Sequence, residues 1–350
     1  MERRDFLRGA MTWAVGASVL GAGGCGNSRS RTTCNRNIGD AHKGSVLSLA
    51  IDASGALLAS GGSDAIVKLW RLPGGALLGT LTGHTQDVLS LAISPDGTRL
   101  ASGSSDSTVK LWGLPDGALL GTLAGHTLPV AGLAFTPDGL LLASGSADAT
   151  VKLWNVSDGS LASTLTGHTL AVTDIAASPD GTLLVSSSED QTLNLWSLPD
   201  GGLVGSIPTP GGWVDALSFS PDGTLLVTGG SNDGDAVVLW SMPTGVPAKP
   251  LKGHLDEVKA VAMTPDQSMV ASGSLDTTIR LWRVSSGGAV KVIQDHSNHV
   301  TALAVTPDGR SLVSGSADRS IRFWSLPGGS FIGSASDPAL PIQTVVSFTC

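Results

Sequence analysis

Apolar and small residues alternate in four short runs within residues 83–124, and tight-turn sequences separate the runs. The first run, Val88–Ile93, alternates as a strand does when one of its faces is buried. The turn Ser94-Pro95-Asp96-Gly97 follows it; proline fixes φ there, and aspartate and glycine favour the next turn positions. The other predicted strands are Leu100–Ser104, Val109–Trp112 and, after the turn Pro115-Asp116-Gly117, Leu119–Leu123.

This pattern recurs at a fixed spacing along the chain. Seven of the nine tryptophans, at positions 70, 112, 154, 196, 240, 282 and 324, are 42 residues apart, except for one step of 44. Histidines and aspartates repeat with the same spacing. A fixed period indicates a repeat architecture. Four short strands cannot bury their faces as an isolated sheet, whereas seven such sheets stacked radially in a closed ring bury their faces and protect their edges.

Four motifs follow one another within a unit: Gly-His, Ser-Pro-Asp-Gly, Ala-Ser-Gly-Ser-x-Asp and Val-Lys-Leu-Trp. They resemble the WD-repeat family over about residues 41–336, although here no tryptophan of the repeat is followed by aspartate. The resemblance implies an all-β fold, a seven-bladed β-propeller of four-stranded antiparallel blades, expected to be a monomeric ring. It also implies a blade-stabilising network of a loop histidine, a second-strand hydroxyl, a turn aspartate and the tryptophan. Units two and three supply this network as His84, Ser102, Asp106 and Trp112, and as His126, Ser144, Asp148 and Trp154.

The network has a structural explanation. Buried indole and imidazole groups need hydrogen-bond partners, and the aspartate can orient the histidine ring. As a catalytic triad, the same residues would have to occur in every unit. The propeller region contains no nucleophile-elbow, HExxH, Walker or kinase motif. We therefore expect no enzyme activity and no cofactor.

Unit five departs from the repeat. Thr209-Pro210 replaces Gly-His, the second turn is stretched into Ser231-Asn232-Asp233-Gly234-Asp235, and Trp213 stands where other units have Asp, Pro, Ala, Glu or His. By resemblance to the family, these loops open on one face, which commonly receives peptides or proteins. An exposed tryptophan among acidic groups is a suitable anchor for a basic or apolar segment. Alternatively, unit five has drifted, and Trp213 fills the space left by the missing histidine.

The predicted partner-binding surface centres on Trp213 and includes residues from several other loops of the same face. Its members are Trp213, Asn232, Asp233, Asp235, Leu128, Leu170, Glu189, Asp256, Glu257, His299 and Arg319.

Charge and composition narrow the choice of partner. The chain has 21 basic and 29 acidic residues and a net charge of −8. A negative surface repels nucleic acid and anionic lipid. His296 and His299 are close in sequence, but no further ligand completes a zinc site, so we predict no metal. Asn-Asp-Gly-Asp at 232–235 is too short for a calcium loop of the EF-hand type, and an ordinary polar turn explains it better.

Both ends of the chain lie outside the repeats. Residues 1–25 are expected to be a removed export signal, since Arg3-Arg4-Asp5-Phe6-Leu7-Arg8 resembles the twin-arginine signal; an ordinary secretory signal is the alternative. Cys25 resembles a bacterial lipidation site and would tether the protein to a membrane; a soluble, unlipidated form remains open. Residues 26–40 are expected to be a flexible polar tether.

The tail, residues 337–350, resembles the start of an eighth repeat. Because the ends of a ring meet, Cys34 and Cys350 could pair in an oxidising compartment, or both could remain free thiols.

These features together predict an exported, non-catalytic scaffold of the periplasm or cell envelope. It would bind an unidentified protein or peptide, and not nucleic acid, through the loop face near Trp213. The alternative is a small-ligand-binding or hydrolytic propeller that uses the mouth of the central channel.

Overall fold

A computed structural model describes residues 33–38, 40–209, 212–231, 236–336 and 344–349. Every regular element in these ranges is a β-strand. The strands of blades one to four and the strand that precedes them are β1 (Thr33–Ile38), β2 (Val46–Ile51), β3 (Leu57–Gly62), β4 (Val67–Arg71), β5 (Ala76–Leu81), β6 (Val88–Ile93), β7 (Arg99–Ser104), β8 (Thr108–Gly113), β9 (Ala118–Ala124), β10 (Val130–Phe135), β11 (Leu141–Ser146), β12 (Thr150–Asn155), β13 (Leu161–Thr166), β14 (Val172–Ala177), β15 (Leu183–Ser188), β16 (Thr192–Ser197) and β17 (Leu203–Pro208).

The strands of blades five to seven and the strand that follows them are β18 (Val214–Phe219), β19 (Leu225–Gly230), β20 (Val237–Ser241), β21 (Val246–Pro250), β22 (Val258–Met263), β23 (Met269–Ser274), β24 (Ile279–Arg283), β25 (Ala289–Ile293), β26 (Val300–Val305), β27 (Ser311–Ser316), β28 (Ile321–Ser325), β29 (Ser330–Ala335) and β30 (Thr344–Thr349).

Seven four-stranded antiparallel sheets are formed, each from four consecutive strands. The predicted seven-bladed β-propeller is therefore confirmed. The first strands of successive blades are neighbours, and β2 also lies beside β26, which closes the ring. At this seam the Thr301 hydroxyl donates to the Val46 carbonyl, and the Ala41 N–H donates to the Arg319 carbonyl over 2.8 Å. No blade borrows a strand from the other end of the chain.

The turns have the chemistry that the sequence predicted. In blade two the N–H of Gly97 donates to the Ser94 carbonyl over 2.8 Å, with Gly97 in the left-handed region at φ 70°. The Asp96 carboxylate accepts the N–H of Thr98 over 3.0 Å. Glycine adopts positive φ without steric cost, so the chain reverses and β7 pairs back on β6.

The hydrophobic core lies between blades, as seven separate clusters. Trp154 of blade three, for example, packs with Val109 and Leu123 of blade two. At the seam, Trp70 of blade one packs with Val313 and Phe323 of blade seven. Each tryptophan thus covers the neighbouring sheet, and burial of apolar area at about 25 cal/mol per Å² holds adjacent blades together.

Outside the propeller, β1 pairs with β30 in a two-stranded sheet. The expected flexible tether at 26–40 therefore contains a strand, and so does the tail at 337–350. The export signal with Cys25, and Cys350, lie outside the described residues, as does the side chain of Cys34. In the described part of the chain, no helix is long and apolar enough to cross a membrane.

Candidate functional site

A histidine, an aspartate, a serine and a tryptophan form one hydrogen-bonded network in six of the seven blades. In blade two, His84 Nδ1 lies 2.8 Å from Asp106 Oδ2, and Nε2 lies 2.8 Å from Ser102 Oγ. The Trp112 indole N–H donates to the same Ser102 oxygen over 2.8 Å. The other histidines, which make the same contacts, are His42, His126, His168, His254 and His296.

The direction of these bonds follows from the donors. The serine oxygen already accepts the indole N–H, so its own proton is free to donate to the Nε2 lone pair of a neutral imidazole. The other ring nitrogen then carries a hydrogen and donates to the aspartate. Burial lowers the pKa of His84 against the opposing effect of Asp106, which agrees with a neutral ring.

The aspartates of these networks are held ionised. Burial alone would raise the pKa of Asp106, but hydrogen bonds from the Thr108 hydroxyl, the His84 ring and the Thr85 N–H outweigh it and hold the pKa at about 2. The pKa of Asp148 is likewise lowered to about 2 against burial, by bonds from Thr150, Thr127 and His126. Every polar atom of the network therefore has a partner, and the constellation stabilises the blades.

The loop face is assembled by backbone hydrogen bonds between the two loops of each blade. The Glu189 N–H donates to the Ala171 carbonyl over 3.0 Å, and the Ser231 N–H donates to the Trp213 carbonyl over 3.0 Å. In blades six and seven, Leu275 and Ala317 make the same bond to Glu257 and His299. Trp213, Glu257 and His299 therefore occupy one equivalent loop position, and Glu189 lies in the loop that bonds to it.

Exposure divides the predicted binding residues into groups. Leu128 is 48% exposed and Leu170 is 51% exposed, at the same loop position in adjacent blades. Glu189, Asp256 and His299 are also exposed. Trp213 is only partly buried. Asn232, Asp233 and Asp235 lie outside the described residues.

Two other predicted residues are engaged in ion pairs. Arg319 Nη1 lies 3.4 Å from Asp40 Oδ2 at the ring seam. Glu257 Oε2 lies 2.8 Å from Lys259 Nζ, which also lies 3.1 Å from Asp215 Oδ2. These contacts give both residues a structural role in addition to any contact with a partner.

The most exposed leucine of this face was not predicted from the sequence. Leu255 is 89% exposed and follows the network histidine of blade six. Most equivalent positions hold a hydroxyl residue, as Thr85, Thr127, Thr169 and Ser297 do, and blade one has Lys43. The change from a polar residue to leucine at this position is the sequence feature that could have identified Leu255.

Three charged residues that depart from the repeat, Asp174, Asp215 and Lys259, line the central channel. A cavity of about 280 Å³ lies there. Asp174 Oδ2 accepts the Leu217 N–H over 2.7 Å and Oδ1 accepts the Ile175 N–H over 2.8 Å. Burial raises the pKa of Asp174 to about 7 despite these two bonds. Asp215, whose pKa burial also raises, and Lys259 line the same cavity. None of Asp174, Asp215 and Lys259 was among the site residues predicted from the sequence.

Blade five retains the tryptophan and the hydroxyl of the network, since Trp240 Nε1 donates to Thr228 Oγ1 over 3.0 Å. Among the described residues, none supplies an imidazole there. Instead, a cavity of about 420 Å³ lies beside these two residues, and Trp213 forms part of its wall. Trp213 also fills part of the space left by the histidine with its backbone, because a Cβ added to Gly230 would meet the Trp213 carbonyl oxygen.

The described residues contain no group of three or more His, Cys, Asp or Glu side chains that could hold a metal ion. His296, which the sequence places three residues from His299, makes its contacts with Asp318 and Ser314.

Comparison with known proteins supports the family suggested by the motifs. A search of curated proteins found no match to this chain. The family model described as WD domain, G-beta repeat matches seven segments, residues 33–71, 75–113, 117–155, 159–197, 201–240, 245–283 and 287–325. Most matched segments begin with the outer strand of one blade and end with the third strand of the next. These matches cover well over half of the chain, which therefore belongs to the WD-repeat family.

Proposed function

We propose that this protein is a non-catalytic interaction scaffold that binds a protein or peptide through the loop face of the propeller. The observation that carries the proposal is a set of three exposed leucines, Leu128, Leu170 and Leu255, on one face. Exposed apolar side chains that are grouped on one surface and rimmed by polar residues are typical of interaction sites. Glu189 and Asp256 supply that polar rim.

The charge of the rim indicates the chemistry of the partner. The exposed carboxylates near the leucines favour a segment that combines apolar side chains with lysine or arginine. Trp213, at the same face, adds a large amphipathic side chain of the kind that dominates binding energy at interfaces. A basic, apolar peptide segment therefore fits this face better than an acidic one.

A site-specific crosslinking experiment tests this proposal. A photo-crosslinking amino acid replaces Leu255 on the loop face, and in a control protein it replaces Leu140, which is 67% exposed in the turn between β10 and β11 at the other end of the blade. We expect a discrete crosslinked partner from position 255 and none from position 140. The Leu128→Ser/Leu170→Ser double variant should weaken that crosslink. Identical products from both positions, or none from position 255, would contradict the proposed face.

We also propose that the protein acts at the cell envelope after export, with residues 1–25 removed and a lipid on Cys25. The support is the twin-arginine-like sequence and the cysteine directly after the apolar stretch. Fractionation of cells that express the full chain tests this. Parent protein in the membrane fraction and Cys25→Ser protein in the soluble periplasmic fraction are expected; cytoplasmic protein in both cases would refute it.

A second candidate function is the binding of a small cationic ligand in the central channel. Asp174 and Asp215 line the channel together with one lysine, Lys259, and they depart from the repeat. Because the pKa of Asp174 is raised to about 7, the channel gains negative charge as the pH rises through that value. Titration with putrescine should show tighter binding at about pH 8 than at about pH 6, and this difference should disappear in Asp174→Asn.

A further inference from the structure

The cavity in blade five lies beside the two residues that remain of its network. In blade one, a Cβ added to Gly62 would meet the His42 ring, whereas a Cβ added to the equivalent Gly230 would meet the carbonyl oxygen of Trp213, so the backbone of Trp213 fills part of the histidine's place. The equivalent glycine of blade five, Gly230, lines the cavity of about 420 Å³. Thr228 and Trp240, the remaining members of the network, line it as well.

Two further replacements enlarge this space. Thr108, Thr150, Thr192 and Thr278 contact both the histidine and the aspartate in their blades, whereas blade five has Ala236 at this position. The strand residue paired with the network hydroxyl is Lys152 in blade three and Arg280 in blade six, but Val238 in blade five. At both positions, blade five has a smaller, apolar side chain where most of the other blades have a polar one.

One polar group remains at the centre of the apolar walls. In the other blades, the serine hydroxyl donates to the histidine ring, which lies edge-on to the tryptophan with ring centres 6.1 to 6.4 Å apart where that contact forms. Thr228 Oγ1 accepts the Trp240 N–H. Among the described residues, nothing accepts the Thr228 hydroxyl proton in place of the histidine. The cavity thus offers one hydrogen-bond donor beside a tryptophan.

The cavity is accessible from outside the blade. Pro208 of β17 and Pro247 and Pro250 of β21 line it and are exposed. The volume of about 420 Å³ lies within the roughly 300–1,000 Å³ that is typical of small-molecule sites, which also combine apolar walls with a few fixed polar groups.

We propose that blade five binds a neutral, planar aromatic heterocycle with an acceptor nitrogen in the cavity beside Thr228, the hydroxyl whose counterparts bond to histidine in the other blades. The ring lies against Trp240 and Trp213, and its acceptor nitrogen receives the hydroxyl proton of Thr228. This site is separate from the exposed leucines of the loop face. A ligand here acts on the packing of blade five and does not require a bound protein.

The test compares two bicyclic probes of nearly equal shape at about pH 8, where both are neutral. Benzimidazole has an acceptor ring nitrogen, and indole has only an N–H donor. Calorimetry and the indole N–H resonance of Trp240, assigned with Trp240→Phe, report binding. One net hydrogen bond predicts about five- to tenfold tighter binding of benzimidazole to the parent protein.

Three variants separate the contributions of the hydroxyl and the cavity. Thr228→Ser retains the hydroxyl used in the other blades and should preserve the preference for benzimidazole. Thr228→Val should abolish the preference; because it also removes the partner of Trp240, its fold is checked by circular dichroism. Ala236→Phe introduces a side chain larger than any that the other blades have at this position and should weaken both probes at least about tenfold by filling the space.

Clear results would overturn the proposal. It fails if benzimidazole does not bind up to about 10 mM, a limit that corresponds to less than roughly 3 kcal/mol of binding free energy. Equal affinity of the parent for both probes, or undiminished binding to Ala236→Phe, would also refute it. Because Ala236→Phe does not depend on the Thr228 variants, the test holds even if Thr228→Val does not fold.

Discussion

Blades three and five have the same backbone pairing but differ in what fills the space beside the tryptophan. In blade three Leu133 pairs with Ser144, which pairs with Lys152. In blade five Leu217 pairs with Thr228, which pairs with Val238, in the same register. The histidine network is therefore not needed to form a blade. The strand pattern and turns specify the sheet, and the network adds stability by satisfying buried polar groups.

Acid should destabilise the blades that contain the network most strongly, because the pKa values of the network aspartates are lowered in six blades and those of His84, His126 and His296 are lowered as well. Burial lowers the pKa of His84 below 6.5, so the unfolded state binds its proton first, and stability is lost as the pH falls from about 6.5 through the lower folded value. The pKa of Asp106 is about 2 against 3.8 unfolded, so a second loss follows as the pH falls from about 3.8 toward 2.

Urea unfolding between about pH 8 and pH 2 measures this acid effect. The His84→Gln/His126→Gln double variant, which removes two of the titrating rings, should lose less stability than the parent between about pH 6.5 and pH 5. Constant stability of the parent down to about pH 3 would mean that the networks do not couple to folding.

The largest effect of a single substitution is expected in blade seven. Arg322 is only 2% exposed, and its Nη2 lies 3.1 Å from Asp318 Oδ2. Asp318→Ala leaves this guanidinium buried without its carboxylate, so we expect a loss of about 3–5 kcal/mol in the free energy of unfolding. Asp116→Ala, at an exposed outer turn, is the control and should change stability by less than about 0.5 kcal/mol. Equal effects would contradict the importance of the buried pair.

Removing one imidazole should reproduce the cavity of blade five in blade three. His126→Ala leaves Ser144 and Asp148 without the ring between them, and a loss of about 2–4 kcal/mol is expected from the cavity and the unpaired groups. Thermal unfolding measures it, with exposed Thr127→Ala as the control. If imidazole added to the medium stabilises His126→Ala more than it stabilises the parent, the cavity retains the geometry of the missing ring; a loss below about 0.5 kcal/mol would show that the network contributes little.

The smallest predicted effect is a gain in stability when the cavity of blade five is filled. Ala236→Ile adds apolar volume to the wall of the cavity and should stabilise the protein by about 0.5–1 kcal/mol. Ala248→Ile adds the same atoms at an exposed position of β21 and should have almost no effect. A destabilised Ala236→Ile would show that the space is too rigid to accept the larger side chain.

The sequence predicted the architecture because each repeat contains the turn residues and the strand alternation that specify one blade. The turn around Asp96 and Gly97 and the alternation of Val88–Ile93 are local signals, and their recurrence implies a ring. A comparison that looks for residues shared by all repeats overlooks residues that differ in a single repeat. Leu255 and the channel group of Asp174, Asp215 and Lys259 depart from the repeat singly, so they become visible as groups only when the loops and inner strands of different blades are brought together.

The cavity could not be predicted from the motif alone. Thr209-Pro210 indicated a missing histidine, but an empty space requires that its neighbours do not collapse into it. That depends on Val238, which pairs with Thr228, and on Ala236, whose carbonyl accepts the Gly230 N–H. Trp213 was the natural candidate to fill the space, and only the packing shows that it forms a wall.

Hydrogen exchange of the tryptophan indole N–H protons tests the central comparison most directly. Trp154 and Trp240 have the same position in their blades and donate to Ser144 and Thr228. Because the space beside Thr228 is open, we predict that the Trp240 proton exchanges faster than that of Trp154 and that benzimidazole slows Trp240 alone. Equal exchange rates for the two protons would contradict the account of blade five as an open position in an otherwise complete ring of networks.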